Sequence, residues 1–521
     1  NGTQASEIRP GTEVPDNSSV TVRVTPGDRY RFGTTDIVNA APPTLDPDDQ
    51  VDGPESVGFS TGEFAEATAV RAAGRLAVRA WRQQGYAKAA VADRDANAVH
   101  PDDQFNVTIR MEPGQRAAYG EISVEGTEFM NPAFVSYMTG LTPGEEYDPD
   151  TLARARKRLE RLGVFSLQRL QEADEIGNNG LLPINVLVKE RKLRRIGVGA
   201  TFSSIDGAGA EAFWLHRNLF GQAESLRLSA EVGGVGGGAQ VDAVDELDYE
   251  VAATFKKPGL LDPDTDFIAN AFARAAYNDT FSEKSVGASA GLTRYQTENI
   301  TLAAEGFVKY GEYEDVFGTR RFGVVGAQAT GEYDLRDNEL DPTEGLYFSA
   351  LARPFYEWEF GNAAARFETE ARGYLSPGDE GRTVFAARLK VGTLLGPSIE
   401  ETPPDQLFLA GGGGSVRGYG FKNIGIKQAD GNVTGGQSLV EGAIEVRQRF
   451  GASFGAVAFA DFGMVGEESF SGFDTDPKVG VGVGFRYYSG LGPIRLDVAI
   501  PLNAEEGDPD FAFYAGIGHA F

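Results

Sequence analysis

Hydrophobic and polar residues alternate one by one along the later part of the chain, from about Arg194 to Phe521. In segment 439–450 all the charged residues share one face: Leu439, Glu441, Ala443, Glu445, Arg447 and Arg449 oppose Val440, Ile444, Val446 and Phe450. We count sixteen such segments. Because side chains alternate between the two faces of a strand, apolar-out and polar-in segments of about ten residues are typical of transmembrane strands. The pattern predicts a 16-stranded antiparallel transmembrane β-barrel over residues 191–521.

The connections between these segments alternate in length. Short turns such as Gly221–Glu224 and Gly451–Ser453 alternate with longer ones such as Pro397–Gln437 and Gly466–Lys478. Barrels with short periplasmic turns and long external loops have this arrangement. A soluble β-sandwich also has alternating strands and is the alternative fold. The number of segments and their charged inner face favour the barrel.

The first 190 residues combine helical and strand patterns and contain an internal repeat. The segment Pro26-Gly27-Asp28-Arg29-Tyr30-Arg31-Phe32-Gly33 has the same spacing as Pro113-Gly114-Gln115-Arg116-Ala117-Ala118-Tyr119-Gly120. The distance from Pro26 to Pro113, 87 residues, suits a small tandem domain and is too long for a solenoid repeat. Each copy leads into a strand pattern.

Helices are predicted over Gly62–Gln84 and over Asp148–Leu162, the second with an acidic start and a basic end. Each is followed by two strand-like runs. We therefore predict two small α/β domains of the βααββ type, over residues 28–112 and 113–190. Residues 1–27 are interpreted as a linker with one strand, Ser19–Thr25, left from an earlier domain.

Composition excludes several classes of function. The net charge of −28 argues against a nucleic-acid partner, which needs a basic face. The absence of cysteine excludes thiolate metal sites and thiol catalysis, and it fits an oxidising compartment. The three histidines, His100, His216 and His519, are scattered and suggest no metal site. The sequence contains no run of about 18 apolar residues, so it predicts no transmembrane helix. The chain starts at Asn1 without Met, which we interpret as a processed or truncated form.

Arg417 is the charged residue whose position most needs an explanation, because it lies near the end of a long, polar, glycine-rich connection. The alternation places Glu445 and Asp461 on the inner face of the predicted barrel. A guanidinium between two carboxylates makes charge-assisted, bidentate hydrogen bonds. We predict that Arg417 binds both carboxylates and pins the loop inside the barrel. The alternative is a solvated arginine in a flexible turn.

Three patterns are typical of catalysis or ligand binding, but their contexts argue against it. Gly287-Ala288-Ser289-Ala290-Gly291 matches a nucleophile motif that needs a strand-to-helix turn, whereas it lies in the alternating segment 285–295. Asp262, Asp264 and Asp266 have the spacing of a calcium loop without its glycine and final acid. Gly411–Gly414 lacks the Lys-Ser/Thr of a phosphate loop. We therefore predict a protein that is not an enzyme, with no catalytic residue, no metal and no cofactor.

Several motifs of the last 330 residues resemble the outer-membrane assembly-factor superfamily, whose members are sixteen-stranded barrels fed by periplasmic polypeptide-transport-associated (POTRA) domains. They are Val416-Arg417-Gly418-Tyr419 for the lumen loop, Phe459-Ala460-Asp461-Phe462-Gly463 and Glu445 for its partner strands, and Tyr333-Asp334-Leu335-Arg336-Asp337 with Pro342-Thr343-Glu344-Gly345 for a turn. The segment from Gly484 to Asp497 is also similar. The two predicted α/β domains resemble POTRA domains, and Gly140–Asp148 resembles the usual entry into their second helix.

Within the superfamily, the chain looks most like the TamA family, the barrel subunit of the translocation and assembly module. The resemblance includes the ending Tyr514–Phe521, in which Gly516 and Phe521 match a terminal insertion signal and His519 departs from it. TamA proteins carry three POTRA domains, and here two are complete.

The resemblance implies a non-enzymatic factor of the bacterial outer membrane, with its POTRA domains in the periplasm, that helps to insert or secrete β-barrel and autotransporter-type clients. Its partners would be outer-membrane lipid, unfolded outer-membrane client proteins and an inner-membrane-anchored, periplasm-spanning protein. A two-partner secretion transporter and the general barrel-insertion factor are the alternatives, and a passive porin or adhesin is a third class.

Glycines interrupt both strands that would close the barrel. Gly197 and Gly199 lie in the first predicted strand, and Gly516 and Gly518 lie in the last. Because glycine weakens a strand, we predict a seam at this junction that opens sideways. We also expect Phe521 to lie in the last strand, at the periplasmic rim.

Overall fold

The computed structural model of the protein describes residues 29–203, 207–235, 247–378, 381–429, 431–470, 476–490 and 492–521. The predicted strand Ser19–Thr25 and the rest of segment 1–27 lie outside the described residues.

The first predicted α/β domain contains a three-stranded sheet and one α-helix. Its elements are β1 (Arg31–Val38), α1 (Ala67–Gln83), β2 (Ala90–Val99) and β3 (Gln104–Glu112). The strand order is β1-β3-β2, with β1 parallel and β2 antiparallel to β3. α1 buries Ala69, Ala73, Ala77 and Trp81, which recur every four residues and so form one face of the helix.

The second predicted α/β domain contains two helices. Its elements are β4 (Ala118–Glu125), α2 (Pro132–Thr139), α3 (Pro149–Arg161), β5 (Phe165–Glu172) and β6 (Leu181–Glu190), and the strand order is β4-β6-β5. The first domain differs from this βααββ order, because it has only a one-turn 3-10 helix, Pro54–Val57, where the second has α2. Pro42, Pro43, Pro47 and Gly53 precede that turn, and such residues break helices.

The described chain forms two compact units. One takes in the described parts of Asn1–Glu121, Thr142–Thr151 and Glu172–Pro183, and the other takes in those of Ile122–Leu141, Leu152–Gln171 and Ile184–Phe521. The second α/β domain therefore contributes residues to both units. Within the described residues, no helix is both long enough and apolar enough to cross a membrane.

The later part of the chain forms one 16-stranded antiparallel sheet, which confirms the predicted fold class. Its first eleven strands are β7 (Arg194–Ser203), β8 (Gly207–His216), β9 (Ser225–Val235), β10 (Asp248–Lys257), β11 (Thr265–Tyr277), β12 (Ser282–Tyr295), β13 (Ile300–Asp315), β14 (Gly318–Asp334), β15 (Gly345–Glu357), β16 (Asn362–Leu375) and β17 (Thr383–Leu395). The last five follow a long loop that holds the two-residue strands β18 (Ile426–Lys427) and β19 (Val433–Thr434). They are β20 (Ser438–Phe450), β21 (Phe454–Gly466), β22 (Lys478–Ser489), β23 (Gly492–Pro501) and β24 (Ala512–Ile517).

The two faces of the sheet differ in burial as the alternation predicts. In β20, Glu441, Glu445 and Arg447 are buried, whereas Ile444 is 64% exposed. The register pairs Ala443 with Asp461, and directly paired residues point to the same side of a sheet. Charged side chains therefore line the lumen, and apolar side chains face outward, where the hydrocarbon of a membrane would cover them.

The last residues of the chain leave the sheet, so the expectation that Phe521 lies in the last strand is wrong. β24 ends at Ile517, and Gly518 follows with a left-handed φ of 90° while its N–H donates to Pro493 O at 2.7 Å. Phe521 is buried against Tyr374, Ala386 and Ala443 on the inner face of β16, β17 and β20. A left-handed residue turns the backbone away from the extended path, and only glycine adopts it freely.

Candidate functional site

The loop between β17 and β20, residues 396–437, folds into the lumen and forms its own apolar core. The buried residues of this loop are Ile399, Leu407, Phe408, Ala410, Val416, Tyr419 and Ile424, and they pack on Leu394, Leu439 and Val465 of the strands. Short backbone pairings, Phe408 with Gly436 and Ala410 with Ile424, hold its two arms together. The loop is therefore a packed body inside the barrel.

Arg417 lies at the centre of the contact between this loop and the barrel wall. Its Nε donates to Asp461 Oδ2 at 2.7 Å and its Nη2 donates to Asp461 Oδ1 at 2.8 Å. Its Nη1 lies 2.8 Å from Glu445 Oε1. The structure thus brings together the three residues that the sequence singled out, and the side chain of Arg417 is 2% exposed.

The rest of the Val416-Arg417-Gly418-Tyr419 motif also contacts the wall. Gly418 N donates to the Tyr514 hydroxyl at 3.0 Å, and the Tyr419 hydroxyl donates to Asn503 Oδ1 at 2.7 Å. Val416 is fully buried. Gly418 has a φ of 104°, and a Cβ there would lie 2.9 Å from the carbonyl carbon of Ile500, so the motif requires glycine at this position.

Three further charged residues complete the cluster around Arg417. Asp497 of β23 lies 3.4 Å from Arg417 Nη1, and it also binds Arg486 of β22. Arg447 Nε donates to Glu445 Oε2 at 2.8 Å. Arg417 thus contacts all three carboxylates, Arg447 binds Glu445 and Arg486 binds Asp497, and all six side chains are buried. Buried charges are tolerated when each is paired in this way.

Sequence reasoning did not assign Asp497, Arg486 and Arg447 to the site. A signal for Asp497 was present, because it lies on the polar face of segment 494–500 and within the segment similar to the superfamily. Which inward-facing carboxylate reaches Arg417 depends on the sheet register and on the curvature of the wall. Neither is readable from the alternation.

Glycines on the inner face of the strands make room for the loop. A Cβ on Gly480 of β22 would lie 1.8 Å from Arg417 O, and a Cβ on Gly463 of β21 would lie 2.6 Å from the Val416 side chain. Both distances are shorter than any ordinary contact. The close approach of the loop backbone therefore requires glycine at position 480 of β22.

A second anchor holds the first arm of the loop to the opposite wall. Lys309 Nζ of β13 lies 2.8 Å from Asp405 Oδ2 and 2.5 Å from Glu283 Oε1 of β12. Arg353 of β15 also donates to Gln406 Oε1 at 3.3 Å. No feature of the sequence pointed to this anchor, since it joins residues 96 positions apart whose partners are ordinary lumen-facing charges.

The predicted seam glycines lie in two different settings. Gly197 and Gly199 are paired with Phe213 and Glu211 in β8, and Gly516 of β24 lies beside Arg495 on the lumen side. Gly518 lies past the end of β24, which corrects its predicted place in the strand. Among the described residues, β7 and β24 approach within 8 Å between Cα atoms, but no backbone ladder joins them.

The three patterns considered for chemistry have structural roles. Ser289 lies within β12, paired with Asn270 and Phe307, so the strand-to-helix turn of a nucleophile motif is not formed there. Each of the three aspartates with the calcium-like spacing forms an ion pair with a basic side chain. Asp262 binds Arg294, Asp264 binds Arg158, and Asp266 binds Lys256. Gly411–Gly414 belong to the folded lumen loop.

Sequence comparison relates the chain to barrel assembly proteins. The Omp85 superfamily domain matches residues 218–521. The chain is 24% identical over 453 residues to the outer membrane protein assembly factor BamA of Nitratidesulfovibrio vulgaris, which covers 80% of this chain and 53% of that protein. It is 22% identical over 490 residues to BamA of Neisseria meningitidis, covering 79% and 58%. The chain spans about half the length of the curated relatives it matches.

Structural comparison gives the same fold. BamA from Haemophilus ducreyi lacking POTRA domains 1–3 is similar with a TM-score of 0.66 at 18% identity, covering 94% of this chain and 100% of the other. CdiB from Acinetobacter baumannii is similar with a TM-score of 0.55 at 13% identity, covering 97% and 93%. Together with the domain match over more than half of its length, these findings place the chain in the outer membrane and show that it belongs to the Omp85 superfamily.

Proposed function

We propose that the protein is a non-enzymatic assembly factor that inserts β-barrel clients, including autotransporter-type clients, into the outer membrane. The observation that carries this proposal is the junction of β7 and β24. Every other neighbouring pair of strands in the sheet is joined by backbone hydrogen bonds, and among the described residues this pair is not. β24 is also short, with six residues against ten in β7.

An unpaired strand edge within a membrane is energetically unfavourable. Each backbone group without a hydrogen-bond partner in hydrocarbon costs several kcal/mol, which is why passive barrels close completely. A client strand that pairs with the edge of β7 would satisfy those groups. The unpaired seam therefore supports a protein that accepts strands laterally rather than a passive porin.

The α/β domains supply further strand edges on the periplasmic side. β2 lies at the edge of its sheet, and its middle residues are exposed. An extended client can add to such an edge through main-chain hydrogen bonds. We propose that these domains are POTRA domains, over residues 28–112 and 113–190, which guide clients to the seam.

A disulfide across the seam tests the proposal. The chain has no cysteine, so Val198→Cys in β7 and Ala515→Cys in β24 would be its only thiols. Oxidised protein in lipid vesicles should fail to insert an unfolded barrel client, and reduction should restore insertion. Insertion is measured by the protease resistance of the folded client.

A second disulfide controls for the covalent bond itself. Ala212 and Ala230 are directly paired in β8 and β9, where cross-strand Cα atoms lie about 4.5–5.5 Å apart. The Ala212→Cys/Ala230→Cys variant should insert clients in both redox states. Full activity of the locked seam would reject lateral insertion and favour export through the lumen, as in a two-partner secretion transporter.

We propose further that the protein acts with an inner-membrane-anchored partner that spans the periplasm, as the TamA-like features suggest. Crosslinking of the full chain in its native membranes, followed by mass spectrometry, should recover such a protein bound to the α/β domains. A general BamA-like factor would instead be crosslinked to periplasmic accessory proteins that have no inner-membrane segment.

A further inference from the structure

We infer that the lumen holds a binding site for a phosphate-type anion between the folded loop and the barrel wall. The site is separate from the seam and from the Arg417 cluster. It goes beyond the proposed insertion activity.

The site is a cavity of about 340 Å³ with a strongly basic lining. Five basic side chains and two acidic ones line it: Arg274, Arg353, Arg366, Lys390 and Lys422, with Glu283 and Asp405. Lys422 comes from the loop, and the other four basic residues come from β11, β15, β16 and β17. A basic cavity stands out in a chain whose net charge is −28.

Both acidic groups of the lining are already paired. Lys309 Nζ lies 2.5 Å from Glu283 Oε1 and 2.8 Å from Asp405 Oδ2. A single ammonium thus holds both carboxylates at one side of the cavity. Together with Lys309, the two carboxylates carry one net negative charge, against the five positive charges of the lining.

Three of the five basic side chains have a carboxylate partner outside the lining. Arg274 binds Glu250 at 2.5 Å, while Arg366 and Lys390 share Glu368 at 2.8 and 3.2 Å. Two cations thus share one carboxylate. This arrangement leaves positive charge in excess on this side of the cavity.

The remaining two basic side chains have no carboxylate within ion-pair distance among the described residues. The Arg353 guanidinium donates to neutral amide oxygens, Gln328 Oε1 at 2.6 Å and Gln406 Oε1 at 3.3 Å. The Lys422 ammonium lies over the rings of Phe281 and Phe421, at 5.4 and 5.2 Å. Lys422 also has a left-handed φ of 53°, a conformation that is unfavourable for lysine.

The arrangement suits an anion with several oxygens better than a monovalent ion. Arg353 is on the wall and Lys422 is on the loop, so a ligand that contacts both must accept hydrogen bonds from two separate donors. Phosphate groups do this, and arginine binds them through two parallel N–H groups. The cavity volume is in the range of small-molecule sites and is large enough for a phosphate or a diphosphate.

Binding of inorganic diphosphate to the full chain in detergent tests the inference. Calorimetry should show saturable binding of one diphosphate per chain. Arg353→Gln and Lys422→Gln should each weaken it at least about tenfold, which corresponds to about 1.4 kcal/mol. Arg321→Gln is the matched control, because Arg321 is exposed on the outer face and paired with Glu312, so this variant should bind as the wild type does.

A second arm identifies the source of the phosphate. The chain in nanodiscs is titrated with a phosphorylated lipid A and with its dephosphorylated form, and lipid retention is measured by native mass spectrometry. If lipid A is retained only in its phosphorylated form, and this retention is lost in Arg353→Gln, the ligand is a lipid headgroup. If the chain binds diphosphate but retains neither lipid, the ligand is a soluble anion. Folding of each variant is checked by its heat-modifiable gel mobility. The inference is overturned if the wild type binds neither probe, or if the folded Arg353→Gln/Lys422→Gln variant binds as tightly as the wild type.

Discussion

Arg417 and Asp461 form a bidentate ion pair, with N–O distances of 2.7 and 2.8 Å, and each residue is only 1% exposed. The backbone N–H of Arg417 donates to the same carboxylate at 3.0 Å. One aspartate of β21 therefore positions both the side chain and the main chain of the loop. The pair links the loop to β21.

Arg417→Ala should destabilise the barrel by about 3–5 kcal/mol, the usual cost of leaving buried carboxylates without their partner. A hydrated lumen would reduce this to roughly 1–2 kcal/mol, but the burial of the pair argues for the larger value. The measurement is urea unfolding in lipid vesicles. Arg321→Ala removes a solvent-exposed pair and should lower the stability far less than Arg417→Ala does. Equal losses in the two variants would show that the Arg417 pair adds no special stability.

Gly480→Ala should displace the loop, because the new Cβ would lie 1.8 Å from Arg417 O. Overpacking of this kind costs about 1–3 kcal/mol. We expect a lower unfolding midpoint and faster proteolysis of segment 396–437. Gly414→Ala is the control, since a Cβ there meets nothing within 4 Å. Unchanged proteolysis in Gly480→Ala would mean that the loop does not approach β22 so closely in solution.

Arg158→Ala should loosen α3 from the turn between β10 and β11. Arg158 binds Asp264 through Nε at 2.8 Å and Nη2 at 2.6 Å, and its Nη1 donates to Thr139 O at 2.9 Å. Loss of a partly buried, bidentate pair costs about 1–2 kcal/mol, between the values for exposed and buried pairs. Hydrogen exchange should become faster in residues 258–266. Arg156→Ala, on the exposed side of α3, should leave it unchanged.

Stability should depend on pH through Glu505. Hydrogen bonds from Lys427 and then Lys478 lower the pKa of the Glu505 carboxyl from 4.5 to about 2. A group whose pKa is lowered by folding stabilises the native state fully above its unfolded pKa. The contribution is then lost as the pH falls from about 4.5 to about 2.

The unfolding midpoints of the wild type and of Glu505→Gln, measured against pH, give this contribution directly. The two midpoints should differ at pH 6 and converge as the pH falls from about 4.5 to about 2. Glu506→Gln, at an exposed neighbouring position, should follow the wild type throughout. A difference between wild type and Glu505→Gln that persists at pH 2 would contradict the assignment.

The alternation of side chains was sufficient to predict the number of strands and their inner faces, whereas the resemblance to the superfamily indicated the partners of Arg417. Successive side chains of a strand point to opposite faces, and a membrane requires the outer face to be apolar. The face that a side chain occupies can therefore be read from the neighbouring residues in the sequence. The same reasoning placed Glu445 and Asp461 in the lumen without any knowledge of the register.

Contacts that depend on register and closure could only be read from the tertiary structure. Asp497 reaches Arg417 from 80 residues away, and Asp405 reaches Lys309 from 96 residues away. Phe521 leaves the sheet because Gly518 adopts a left-handed conformation, and its apolar neighbours come from β16, β17 and β20. Local pattern determines which face a side chain occupies, whereas its partner depends on how sixteen strands are staggered around the lumen.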